Sequence, residues 1–252
     1  MNFVANVGRV TEGYPEMIQL SRGTFRADVD PRELATYTPA DASCYLGVNP
    51  QTLAGWLWGR KYPVVGGEKY FEPLIEPADP DNKLLSFFNL AEIHILAATR
   101  YAHKISVRSI RTAVDTVLER YPSRHPLISK DFKTDGKDLF VQTVDENENL
   151  STPGQLNFKP IMDRFLAHVV ADEHDLVKKI FPLIAGQPDD KIISITYGVS
   201  SSQPVIDGEG VPVWLIHSRF EGGEDAESIA DDFGIPVEKI QRAIDYFDQR
   251  PS

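Results

Sequence analysis

Two stretches of this chain stop one helix and start the next by the same device, and that repetition limits what the chain can fold into. In the first, Ser43, Gly47, Val48 and Leu53 follow one another at spacings of four, one and five; Ala230, Gly234, Ile235 and Ile240 repeat those spacings much later. A glycine at the end of a helix takes the left-handed conformation that terminates it without a Cβ penalty. Two helices joined by so short a turn share one buried face, so both stretches predict a helix-turn-helix. Short helical hairpins inside ordinary domains also end at glycine, and the pattern therefore predicts a shape before it predicts a task.

The first unit is spelled out in "TYTPADASCYLGVNPQTLAGWL". Thr38 is a suitable N-cap, Pro39 suits the first helical position, and Ala42, Tyr45 and Leu46 carry the apolar spacing. Asn49 caps a second helix that Pro50 opens, with Leu53, Trp56 and Leu57 on its inner side. The segment "KYPVVGGEKYFEPLI" then reads as two short strands about Gly66-Gly67, a candidate wing, with Pro77 and Pro80 making a rigid loop. Asn89 is expected to cap a strongly periodic helix (Leu90, Ile93, Ile95, Leu96), and Ser106 another that faces Ile110, Val114, Val117 and Leu118 inward. A helix-turn-helix, a wing and two helices make a compact winged module over residues 37–122, preceded by an irregular extension, residues 1–36.

Residues 123–190 read differently. "PLISKDFKTDGKDLFVQTVD" alternates Phe132, Leu139, Phe140 and Val141 about an Asp135-Gly136 turn and predicts a β-hairpin. "NFKPIMDRFLAHVV" suits a short helix or a strand, "AHVVADEHDLVKKIFPLI" a strand, a turn and a second strand, and "DDKIISITYGV" a strand rich in β-branched residues. In the last segment, 191–252, a helix from about Pro212 breaks at Gly222-Gly223, "DAESIADDF" runs to Gly234, and Pro236 opens the final helix. The expected fold is mainly α with small β elements (α+β): an N-terminal winged helix-turn-helix, a middle β-hairpin region and a C-terminal three-helix unit.

Charge separates the two helix-turn-helix units. Residues 1–112 hold 12 Lys and Arg against 12 Asp and Glu, residues 113–186 hold 9 against 12, and residues 187–252 hold 5 against 13, so most of the overall net charge of −11 sits in the last quarter. Asp225, Glu227, Asp231 and Asp232 crowd the first helix of the second unit and would repel phosphates, which favours a protein-binding or dimerising use of it. In the neutral first part, "RYAHKISVRSIR" places Arg100, Lys104, Arg108 and Arg111 at spacings of four, four and three with no acid among them. On one helix these form a basic stripe that attracts a phosphate backbone; a solvated helix face is the other reading.

Several classes are excluded from expectation. No run of about 18 apolar residues suggests a membrane span and the opening residues lack a signal-peptide pattern, so a soluble, cytoplasmic protein is expected. Cys44 is the single cysteine, which rules out an internal disulfide, and its setting suits burial as a small hydrophobe. Six scattered histidines have no metal spacing, and His174 in "DEH" suits a solvated turn. There is no Gly-rich phosphate loop, local nucleophile signature or ordered Ser, His and Asp set, so no enzyme, catalytic residue, metal or cofactor is expected.

The segment "ITYGVSSSQPVIDGEGVPVWLIHSRFEGGEDAESIADDFGIPVEKIQRAIDYF" resembles a small bacterial family, a domain of unknown function associated with VapB-like antitoxins. Pro204, Val205, Ile206, Gly208, Pro212, Val213, Gly223, Glu224, Ile229, Ala230, Asp232, Phe233 and Gly234 match its pattern, while Gly208-Glu209-Gly210 stands where the family has Gly-Thr-Arg. "YTPADASCYLGVNPQTLAGWL", "YFEPLIEPADPDNKLLSFFNLAEIHIL" and "TDGKDLF" are similar to the MerR-like DNA-binding domains that precede it in longer members, with Ala54 and Gly55 where arginines often follow Thr-Leu. The resemblance covers most of residues 37–248. It implies a homeodomain-like C-terminal unit and an antitoxin of a type II toxin-antitoxin pair, whose partner is a PIN-like nuclease toxin and which represses its own operon as a homodimer.

On this expectation Asn49, Gln51 and Thr52 meet phosphates or base edges of operator DNA, Arg60, Lys61 and Lys69 add backbone charge, and Arg100, Lys104 and Arg108 extend the footprint. Trp214, Leu215 and Phe220, with Arg219, Arg242 and Arg250 as substitutes for the missing arginine, form a toxin-facing or dimer-facing patch; burial of Trp214 and Phe220 in the core is the alternative. Ile193, Ile195 and Tyr197 are candidates for dimerisation by strand-edge pairing. A MerR-like transcription regulator without a toxin partner, holding a small ligand in the middle hairpin and loop, is the alternative function.

Overall fold

In a computed structural model of the chain, which describes residues 29–64, 66–103, 105–148, 159–183 and 189–249, the capping signals of the first unit become hydrogen bonds. Helix α1 (Pro39–Leu46) starts at a capping box in which Thr38 and Asp41 bond each other's backbone N–H groups, and it ends at Gly47 with φ 66° and ψ 29°. The Ser43 hydroxyl donates to the Val48 carbonyl at 2.6 Å, which locks the turn from inside. Helix α2 (Pro50–Trp58) follows, then an antiparallel ribbon of β1 (Arg60–Val64) and β2 (Gly67–Phe71) about Gly66.

Helix α3 (Phe87–His103) is the axis of the core: Leu90, Ile93, Ile95 and Leu96 are fully shielded from solvent. Its cap is Ser86, one turn earlier than expected. The Ser86 hydroxyl accepts the Asn89 N–H, while the Asn89 side chain accepts the N–H groups of Ser86 and Ala78 and donates to the Glu76 carbonyl. Asn89 is thus a fully buried staple between the helix and the Pro77–Pro80 loop, because only inside the first turn does its amide reach both. Helix α4 (Val107–Arg120) begins at Ser106 as predicted.

The expected hairpin over residues 130–144 is helical. A π-helical turn, Phe132–Gly136, runs straight into α5 (Lys137–Glu148), which packs along α4. Phe132 and Phe140 are fully buried and meet edge to face, and Val141 and Val144 lie on the same side. That burial follows a helical period, and Gly136 sits inside the helical run rather than at a hairpin tip. Helix α6 (Lys159–Leu166) takes the helical option for its segment.

Four antiparallel strands form the second sheet in the order β3-β4-β5-β6: β3 (Val169–Ala171), β4 (Val177–Ile180), β5 (Ile193–Thr196) and β6 (Pro204–Ile206). The strand-turn-strand reading of 167–184 therefore holds. At the β3–β4 turn, Asp172 accepts backbone N–H groups of His174 and Leu176 and is bonded by Arg32 at 2.6 Å, which pulls its carboxyl down to about 2. The same arginine bonds Asp30 and lies over Phe88 and Tyr197, so it pins residues 30–33 onto the body of the protein.

The C-terminal unit consists of α7 (Val213–Glu221), α8 (Ala226–Phe233) and α9 (Val237–Asp248). One apolar core runs from Tyr37 through α1–α5 to Ile195; a second is built from Ile193, Ile206, Val213, Ile216, Ile229, Ile240 and Ile244. Strand β5 contributes to both, and residues 127–180 share the first core with the winged unit. None of the described helices is long and apolar enough to cross a membrane.

Candidate nucleic-acid interface and partner surface

The turn between α1 and α2 and the turn between α8 and α9 have the same backbone. Gly47 stands at φ 66°, ψ 29° and Gly234 at φ 66°, ψ 31°, each accepting no Cβ without strain. The two units differ in what they show to solvent.

In the first, Leu53, Trp56 and Leu57 are buried, while Asn49, Gln51 and Ala54 face outward. The Asn49 side-chain oxygen accepts the N–H groups of Gln51 at 2.9 Å and Thr52 at 3.4 Å, so it serves the helix as its cap. The exposed face of α2 carries no cation. Charge enters at the wing: Arg60 and Lys61 are exposed, Lys61 lies 3.8 Å from a similarly exposed Glu68, and Lys69 of β2 stands in register with Tyr62 of β1. Such an exposed ion pair is worth little and does not occupy Lys61.

The wing is fixed to α2 through Gly59, whose φ of 68° and ψ of −178° turn the chain from helix to strand. A Cβ at Gly59 would lie 2.2 Å from the Phe71 carbonyl oxygen and 2.6 Å from the Tyr70 hydroxyl. From the other side, Arg111 lies over the Phe71 ring at 4.5 Å and donates to the Glu72 carbonyl.

The expected basic stripe does not form on one helix. Arg100 belongs to α3 and bonds the Ile105 carbonyl at 3.2 Å, which closes the link to α4; Arg108 is on α4 and exposed; Arg111 is spent on the wing. Lys104 lies outside the described residues. The helix breaks before Ser106 because that residue caps α4, so a spacing that held in sequence is divided between two axes.

In the second unit, Asp225 caps α8 by accepting the Ser228 N–H at 2.7 Å, and that bond holds its carboxyl below the usual range. Glu221, Glu227, Asp231, Asp232 and Glu238 are exposed. Arg219 is already bound: its guanidinium bonds Glu224 and Asp232, lies over the Phe233 ring at 5.2 Å, and is held charged by those carboxylates. Arg242 is 3.4 Å from Asp190. Arg250 lies outside the described residues. The two aromatics are not core: Trp214 is 50% exposed and Phe220 38%, whereas Trp56 is buried at 1%.

The expected dimerisation strand has no free edge. β5 is bonded to β4 at Ile195 and Thr196 and to β6 at Ile193, Ser194 and Ile195, and both Ile193 and Ile195 are buried. Edge pairing through Ile193, Ile195 and Tyr197 is therefore not available, because the neighbours of a strand are set by distant segments of the chain. Tyr197 is partly exposed and packs on Phe87.

Three features had no sequence signal of their own. His125 lies between two carboxylates, 2.8 Å from Glu92 and 2.9 Å from Glu33, with Arg124 3.3 Å from Glu33. Burial opposes charge on the His125 ring, and the carboxylates of Glu92 and Glu33 more than reverse it, so its pKa is raised; burial pushes the Glu92 carboxyl up against the pull of His125. The only hint was a glutamate inside the apolar run "NLAEIHIL". Next, Tyr246, fully buried in α9, donates its hydroxyl hydrogen to the Tyr45 carbonyl of α1 and joins the two units. Finally, Cys44 is half-buried rather than core and faces a cleft shared with Trp214. No cluster of potential metal ligands occurs among the described residues.

Residues 35–114 match a family described as "Putative DNA-binding HTH domain", and residues 193–247 match one described as "Protein of unknown function (DUF433)". The chain thus carries an N-terminal helix-turn-helix domain of a DNA-binding type joined to a C-terminal domain of that uncharacterised family. Two proteins of Mycobacterium tuberculosis are similar to it over most of its length. "Putative antitoxin VapB45" is 28% identical over 231 residues, covering 84% of this chain and 94% of that protein. "Uncharacterized protein Rv2308" is 26% identical over 227 residues, covering 85% and 90%. The crystal structure of Rv2018 from the same organism superposes with a TM-score of 0.60 at 25% identity, covering 84% of this chain and 98% of that one.

Proposed function

We propose that the chain is the antitoxin of a bacterial type II toxin-antitoxin module. Its winged unit binds operator DNA and represses its own operon as a homodimer, and its acidic unit binds and neutralises a PIN-like ribonuclease toxin. The observation that carries this reading is the similarity to the protein named "Putative antitoxin VapB45" across both units, 94% of that protein's length, and not across the N-terminal unit alone. The surface chemistry supports it: exposed cations at Arg60 and Lys61 where the wing follows α2 and at Arg108 on α4, and exposed acids with Trp214 and Phe220 on the other unit. The MerR-like character of the first unit and the homeodomain-like character of the second belong to this reading, as do the absence of catalysis and cofactor and a cytoplasmic location. The homodimer uses a surface other than β5. Coexpression with the product of the adjacent gene tests it: a stable complex that binds the upstream DNA is expected, and failure of the two proteins to copurify contradicts it.

A second reading is favoured by one feature. A cavity of about 580 Å³ lies against the end of α2, lined by Trp58, Leu74, Glu92, Leu118 and Arg124 among others. In a MerR-like regulator without a toxin partner, a small ligand held there would adjust α2 directly. An operator complex that responds to a small molecule and needs no protein partner supports that reading over the first.

A further inference from the structure

Between the two units lies a cleft of about 370 Å³. Asp41, Cys44 and Tyr45 of α1 form one wall, and Pro204 of β6, Trp214 of α7 and Phe247 of α9 form the other. The hydrogen bond from Tyr246 to the Tyr45 backbone holds the walls together, so the cleft is a built feature of the fold. Its aromatic lining is not consumed by packing, since Trp214 keeps half its surface in solvent. A half-exposed tryptophan beside a concave apolar surface is the usual anchor of a protein interface.

The charges identify the occupant. Asp41 is in the lining, and Asp248 stands beside Phe247, bonded at 3.1 Å to His217, whose ring stacks on Phe247 at 4.9 Å. No lysine or arginine is among the described residues that line the cleft. Residues 187–252 as a whole carry 5 cationic against 13 anionic side chains. An anionic surface of this kind repels a second acidic copy and attracts a cationic partner.

We propose that this cleft seats a basic segment of the partner protein whose apolar side chain packs against Trp214, Tyr45 and Phe247. The proposal rests on the reading that the acidic unit binds a protein. It places the partner in contact with α1, the first helix of the DNA-binding unit, and not on the C-terminal unit alone.

Cys44 supplies the test, because it is the only cysteine in the sequence and lines the cleft. Alkylation of the full-length chain by N-ethylmaleimide is followed by mass spectrometry, alone and with saturating product of the adjacent gene. The expected result is slowing of Cys44 alkylation by tenfold or more in the complex. Trp214→Ala is expected to weaken the complex at least tenfold with its circular dichroism unchanged, while Leu176→Ser, at an exposed turn far from the cleft in sequence, stays within twofold. A complex that forms but leaves Cys44 alkylation unchanged, or that Trp214→Ala forms as tightly as the native chain, overturns this proposal and leaves the antitoxin reading standing. Absence of any complex with the native chain overturns the antitoxin reading itself.

Discussion

The Tyr70 hydroxyl donates to the Trp58 carbonyl at 2.7 Å, so the last residue of α2 is bonded to the second strand of the wing. Gly59 makes this possible. It turns the chain in the left-handed region and leaves room for the Phe71 carbonyl and the Tyr70 ring, which a Cβ would enter. Helix and wing are therefore tied together, and the strand that carries Arg60 and Lys61 is anchored to the end of α2.

Gly59→Ala is expected to break that element. The Cβ meets backbone as well as side chain, so relief requires the wing to move, and a loss of roughly 2 kcal/mol or more is expected from overpacking together with the strained φ. Thermal unfolding measures the loss, and operator affinity should fall with it. Gly66→Ala at the wing tip, where a Cβ meets nothing within 4 Å, pays only the backbone strain.

Cations beside α2 should act on affinity and Gln51 on preference. Arg60→Ala and Lys61→Ala are each expected to weaken binding about equally for all DNA sequences and to reduce the slope of log affinity against log salt by about 1. Gln51→Ala should leave that slope unchanged while altering the ranking among operator variants. Fluorescence anisotropy across a salt series separates the two. An unchanged slope for both cation variants would remove Arg60 and Lys61 from the interface.

The Glu33–His125–Glu92 network predicts a pH dependence of stability. The pKa of His125 is raised on folding above its ordinary 6.5, so its contribution is complete below about that pH and is lost as pH rises through the folded value. Urea unfolding at pH 6 should give a higher stability than at pH 9, and His125→Gln should flatten the difference. The same variant leaves Glu92 buried without its ion-pair partner and should cost roughly 3 kcal/mol at neutral pH.

Tyr246→Phe removes the hydroxyl that bonds the Tyr45 carbonyl of α1. With the buried ring kept, a loss of about 1 kcal/mol is expected from the missing hydrogen bond. Denaturant unfolding followed separately by the intrinsic tryptophans of each unit, with Trp56 and Trp58 in one and Trp214 in the other, should show the two transitions drawing apart.

The local grammar was readable because it rests on local physics. Thr38, Gly47, Asn49 and Pro50 each act within four residues of themselves, as do Asp225 and Gly234, so the two matching turns could be found from spacing alone. Phe132 to Val144 misled because Asp135-Gly136 is a common hairpin tip, although Phe140, Val141 and Val144 already had helical spacing. The free edge expected of β5 failed for a different reason. A strand is visible in its own residues, but its neighbours β4 and β6 are fixed by the whole sheet. At the candidate sites, the cations of the wing were legible and the fates of Arg219 and Arg111 were not, because their partners come from other elements. The His125 network joins residues 92 positions apart, and its trace in the sequence is Glu92 inside an apolar run.

On the proposed function, one chain joins an operator-binding unit to a surface that silences a ribonuclease. The most direct measurement is RNA cleavage by the adjacent gene product, titrated with the purified chain. Cleavage is expected to fall to the background level at a fixed stoichiometric ratio, and Trp214→Ala to shift the titration to higher concentration. Cleavage that continues undiminished at a large excess of the native chain would contradict it.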